Sequence, residues 1–78
     1  MNEGEAKFDF KVDANTTPAE AAGMALRQEI KAREFYERCA RFMKDPGARK
    51  MFEFLAKEEK KHEALIRKEL DTYNLKEM

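Results

Sequence analysis

Glu59 and His62 stand three positions apart, so a helix presents both side chains on one face, one turn from each other. Glu29, on an earlier segment, is flanked by Ala25, Leu26 and Ala32, small or apolar residues about one turn away on either side. Glu59 also interrupts an apolar row, with Phe52 and Ile66 seven residues to either side and Leu55 between. A carboxylate set into an apolar stripe without a partner is costly, so each placement asks for a reason. One reason is a metal: two carboxylates and an imidazole suit Fe or Mn, with Zn also accommodated, better than a thiolate-seeking ion. Plainer uses exist for the same residues. Glu29 has Arg33 at i+4, the spacing of a helix-surface ion pair, and Glu58 stands at the same spacing from His62. The run Glu58-Glu59-Lys60-Lys61 also has the composition of a solvated strip. Tyr36, one heptad after Glu29, serves either as core or as a phenol hydrogen-bonded to a ligand carboxylate. The lone Cys39 reads as a small buried residue.

The elements that must position these residues follow from local signals. Thr17-Pro18-Ala19-Glu20 is a capping box with Pro at the first helical position, and it predicts a helix start. Ala22, Ala25, Leu26, Ala32, Tyr36, Cys39, Ala40 and Met43 then follow helical spacing, and Phe35 and Phe42 widen the stripe. Lys44-Asp45-Pro46-Gly47 is a turn in which Pro46 ends the first helix and Asp45 caps the next. A second helix carries Met51, Phe52, Leu55, Ala56, Leu65, Ile66 and Leu70 and is expected to end near Tyr73-Asn74. Ahead of the helices, Phe8, Phe10 and Val12 alternate with charged residues in the period of a short strand. The expected division is an extended or partly disordered arm over residues 1–17, a helical hairpin over 18–74 and a tail over 75–78.

The predicted fold class is all-α, a long antiparallel helical hairpin with a short N-terminal arm. A turn this short forces the two helices to pack antiparallel. Their apolar stripes are too wide for a single neighbour, so two hairpins are expected to pair into a four-helix bundle, as a homodimer or a higher even-numbered oligomer. Measured from the Asp45–Pro46 bond at 1.5 Å per residue, Glu29, Glu59 and His62 fall within roughly one turn of the same level. A two-fold partner would supply the same three again. Four Glu and two His around one point make the shell of a dimetal carboxylate site in a four-helix bundle.

Composition narrows the function classes. Lys+Arg and Asp+Glu number 16 each, and this balance speaks against a nucleic-acid binder, which carries a basic excess. No apolar run approaches the roughly 20 residues of a membrane span, and Met1-Asn2-Glu3-Gly4-Glu5 does not read as a signal peptide. A single cysteine forms no internal disulfide. A soluble, cytoplasmic protein in a reducing compartment is expected.

Two phrases of the chain add a resemblance. Glu29-Ile30-Lys31-Ala32-Arg33-Glu34-Phe35-Tyr36 is similar to the E-x-x-A-x-x-x-Y of the first helix in rubrerythrin-like proteins of the ferritin superfamily. Leu55-Ala56-Lys57-Glu58-Glu59-Lys60-Lys61-His62 is similar to the L-A-x-E-E-x-x-H of the second. The resemblance spans roughly residues 20–70. It implies a ferritin-like bundle with a di-iron site ligated by Glu29, Glu59 and His62, with Tyr36 beside it. It also implies oxidation of Fe(II) by peroxide or dioxygen. Two departures shape what carries over. Only one half of the usual four-helix domain is present, as in the half-length ferritin-like proteins of encapsulin compartments, so two irons would be shared across a dimer. No rubredoxin module is present, so electrons would come from an external donor protein. No shell-targeting peptide is evident after Leu75. The function expected is thus a di-iron carboxylate protein with ferroxidase-like or peroxidase-like activity. The alternative is a metal-free helical dimerisation or adaptor module, in which Glu29, Glu59 and His62 set register.

Overall fold

The computed structural model describes residues 11–77, with side chains through Tyr73. Phe8 and Phe10, and with them most of the expected strand-like pattern, lie outside the described residues. Among the described residues there is no strand; Val12 is exposed, and Asp13–Thr16 form a turn. That turn is closed by the Thr16 N–H donating to the Asp13 carbonyl at 3.1 Å and by the Asn15 N–H donating to Asp13 Oδ1 at 2.8 Å. Asp and Asn favour such turns because their short side chains hydrogen-bond the nearby backbone.

Helix α1 runs Pro18–Phe42 and helix α2 runs Pro46–Glu77. The start of α1 is a complete capping box: Glu20 N–H donates to Thr17 Oγ1 at 3.1 Å, and Thr17 N–H donates to Glu20 Oε1 at 2.9 Å. The end of α1 differs from expectation. The helix stops at Phe42, because Met43 takes extended backbone while its N–H still donates to the Cys39 carbonyl. Pro46 therefore opens α2 rather than closing α1. Its fixed φ and missing N–H suit a first helical turn, where that donor would have no partner in the helix. Asp45 caps α2, accepting the Ala48 N–H at 2.8 Å. Arg49 braces the connection from the α2 side, its Nη2 donating to the Met43 carbonyl at 3.0 Å.

At its other end α2 continues to Glu77, past the expected stop at Tyr73-Asn74. Asn74 is followed by Leu75, Lys76 and Glu77, strong helix formers with no Gly or Pro among them, so nothing local ends the helix there. The expected tail is thus largely helical, and α2 overhangs α1 by about two turns.

The helices pack as a hairpin along a single seam. Ala56 and Glu63 are the deepest side chains in it, each 7% exposed. On α1 the residues Gln28, Ala32, Phe35, Cys39 and Phe42 follow one another at alternating spacings of four and three, so they share one face. On α2 Met51, Leu55, Glu58, His62 and Leu65 do the same. The other helix covers neither row fully: Phe35, Phe42, Met51 and Leu65 are all at least half exposed. Among the described residues no helix is long and apolar enough to cross a membrane.

Candidate metal centre

Glu29 comes from the middle of α1, and Glu59 and His62 come from the middle of α2. The antiparallel hairpin brings all three to one level. His62 Nδ1 lies 2.7 Å from Glu59 Oε1 and 3.2 Å from Glu29 Oε1, so one imidazole nitrogen links a carboxylate on its own helix with one on the other. One ligand atom from each of the three lies within 4.8 Å of the others. The carboxylates are the sunken members, with Glu59 13% and Glu29 21% exposed along their side chains, whereas the imidazole is 54% exposed at the rim.

Glu29 and His62 both have their proton affinities moved by this setting. Burial pushes the Glu29 carboxyl above its usual range, and the Glu59 carboxylate beside it adds to the rise. The hydrogen bond from His62 works the other way. The hydrogen bond to Glu59 raises the His62 imidazole above its ordinary value, with Glu29 contributing in the same direction and partial desolvation opposing. Glu29 and His62 therefore hold protons more firmly than the free side chains would. A divalent cation would replace that stored positive charge with its own, and the hard oxygen and borderline nitrogen donors fit Fe or Mn.

Around these three, the hairpin redistributes the partners that spacing alone suggests. Arg33 does not pair with Glu29. Its Nε donates across the seam to Glu63 Oε2, and its Nη1 donates to Glu37 Oε1 at 3.0 Å along α1. Glu58 does not pair with His62 but accepts from Lys61 at 3.1 Å. Tyr36 sits among aromatic rings, 5.8 Å from Phe35 and 6.2 Å from Phe52 between centroids. No hydrogen bond joins its hydroxyl to the three clustered residues among the described residues. Cys39 is half-buried as a free thiol.

Sequence reasoning did not find the Arg33–Glu63 pair. The available signal was that Glu63 shares the seven-residue row of Ala56 and Leu70, which the fold turns into the seam.

Residues 2–77 match the rubrerythrin family. Neither the curated proteins nor the solved structures searched contain a match. With the match running over almost the entire length, and with a carboxylate–histidine cluster on the two helices that carry the E-x-x-A-x-x-x-Y and E-E-x-x-H phrases, the chain belongs to the rubrerythrin family.

Proposed function

We propose that this protein is a di-iron carboxylate protein whose metal centre is shared by two copies of the chain, with Glu29, Glu59 and His62 as each copy's ligands. The observation that carries this reading is the convergence of those three donors from two helices on a level bordered by uncovered apolar rows. Three donors are too few for two irons, and a second hairpin would bring the count to the four Glu and two His of a bundle-core dimetal site. Four carboxylates would balance two divalent ions with the imidazoles neutral.

Iron held there would supply the two electrons that, with two protons, reduce peroxide to two waters. The chain's own residues do the rest. Glu59, as a bridging carboxylate, and Glu29 and His62, as terminal ligands, would hold the irons. Leu55 lies one turn before Glu59 on α2, with Phe52 and Ile66 seven residues to either side, and these apolar residues would limit water once a second copy covers the rim. Tyr36, held in its aromatic setting, would stand beside the centre as an outer group. Electrons for repeated turnover would come from a separate donor protein, with the cytoplasm as the setting.

A metal-free adaptor uses the same surface, and one observation favours it: His62 Nδ1 already contacts a carboxylate on each helix, Glu59 at 2.7 Å and Glu29 at 3.2 Å. Metal content decides between them. Protein from iron-supplemented cells is expected to carry about one iron per chain in an even-numbered oligomer, measured by mass spectrometry with the oligomeric mass taken from the same sample. A folded oligomer that refuses added Fe(II) would establish the adaptor instead.

A further inference from the structure

We infer that Arg33 and Glu63 are positioning residues, a cross-helix clamp that sets the rotation and register at which Glu29 meets Glu59 and His62. This inference rests on the metal-centre reading for its consequence, but not for its geometry. Arg33 lies one turn after Glu29 on α1, and Glu63 lies one turn after Glu59 and directly follows His62 on α2. Their ion pair is thus a cross-helix polar contact one turn from the cluster that involves none of its members.

Three features suit it to a positioning role. Glu63 is the buried charged side chain among the described residues, so its carboxylate depends on Arg33 for compensation. Arg33 is itself held at two points, by Glu63 across the seam and by Glu37 on its own helix. A forked guanidinium held at both ends resists rotation more than a single-point contact does. Outside the cluster, the other described contacts across the seam are looser: Lys60 Nζ stands 4.0 Å from Glu37 Oε2, the Tyr36 and Phe52 rings meet at 6.2 Å between centroids, and Ala56 is the buried apolar side chain among the described residues. A slip of one residue moves a side chain by about 1.5 Å along the axis and about 100° around it, enough to separate Glu29 from His62.

The test uses the full-length chain and the variants R33M, R33K and E63Q, with helicity followed by circular dichroism. Two readouts are taken. The first is the set of cross-helix nuclear Overhauser contacts between the His62 ring and the Glu29 side chain, recorded without metal. The second is Co(II) titration followed by its visible spectrum. R33M and E63Q are expected to keep their helices and lose or weaken the Overhauser contacts. They should bind Co(II) roughly tenfold to a hundredfold more weakly, with an altered spectrum. R33K, which keeps the charge but not the fork, should fall between them and the parent.

Unchanged Overhauser contacts and unchanged Co(II) binding in R33M and E63Q would overturn the clamp. So would unfolding of all three variants, which would make the pair a general stability element. A parent chain that shows the contacts, loses them in R33M and still binds no Co(II) would uphold the clamp and overturn the metal centre.

Discussion

Arg33 on α1 reaches across the hairpin seam to the buried carboxylate of Glu63 on α2, and its other arm holds Glu37 on its own helix. The two ends of this contact are unequal. Glu63 is sequestered, whereas Arg33 retains 23% of its side-chain exposure and a second acidic partner.

That inequality fixes the order of two substitutions. R33M strands a buried carboxylate and should destabilise by about 2–4 kcal/mol, while E63Q leaves an arginine that still reaches water and Glu37, at a cost of about 1 kcal/mol. Urea unfolding at one fixed protein concentration measures both. Equal losses would mean that Glu63 is better solvated than its position indicates.

The cluster makes the metal-free protein prefer mildly acidic conditions. Glu29 and His62 both bind their protons more tightly folded than unfolded, from ordinary values of 4.5 and 6.5. As pH rises above 4.5, the unfolded chain releases the Glu29 proton before the folded chain does, and above 6.5 the same holds for His62. The folded state then holds more protons, so stability falls with rising pH. His62's contribution is complete below 6.5 and is lost through its raised folded value. Metal inverts the slope, because binding requires the ligands deprotonated. Melting temperatures in chelator should fall from about pH 5 to pH 8, and those with Mn(II) should rise. Parallel slopes would separate the metal from these groups.

Glu59 and His62 should be indispensable for any metal-dependent stabilisation. Saturating metal at about a hundred times its Kd contributes roughly 2.7 kcal/mol to a folded state that alone binds it. Chelation should therefore lower the melting temperature of the parent and leave that of E59A/H62A unmoved. Scanning calorimetry at matched concentrations reads both.

The uncovered rows should carry association. Phe35 and Leu65, 57% and 61% exposed, lie on them, one on each helix. F35E and L65E should each shift the light-scattering mass toward the single chain, since a charge in a contact between apolar rows is poorly compensated. An unchanged mass would place the contact between copies elsewhere.

The two glycines in helices should respond differently to alanine. A Cβ at Gly23 would meet only the end of the Arg27 side chain at 3.7 Å, so G23A should stabilise α1 by about 0.5–1 kcal/mol. At Gly47 a Cβ would stand 3.3 Å from the Asp45 carboxylate that caps α2, so G47A should gain less or nothing. Thermal unfolding of the two variants side by side checks the difference.

Much of this architecture is legible in one dimension because its signals are local. The Thr17–Glu20 capping box and the Asp45-Pro46 pair mark helix starts through contacts within a few residues, and seven-residue spacing puts Glu29 and Glu59 on apolar faces. Antiparallel geometry then brings His62 level with Glu29. What escaped depends on helix rotation, which no local signal reports. Whether Arg33 turns to Glu29 along its own helix or to Glu63 across the seam is decided by which row of α1 meets α2. Every row looks alike until the second helix is in place. The continuation to Glu77 escaped for a different reason: a helix end without Gly or Pro leaves only weak propensity to mark it.

A hairpin whose deepest side chains are one alanine and one ion-paired glutamate has little interior of its own. Among the described residues Phe35, Phe42, Met51, Phe54 and Leu65 are all at least half exposed. Under the proposed pairing of two copies, dilution acts as a denaturant. Helix content should decline as the concentration drops, and its recovery after mixing should follow second-order kinetics.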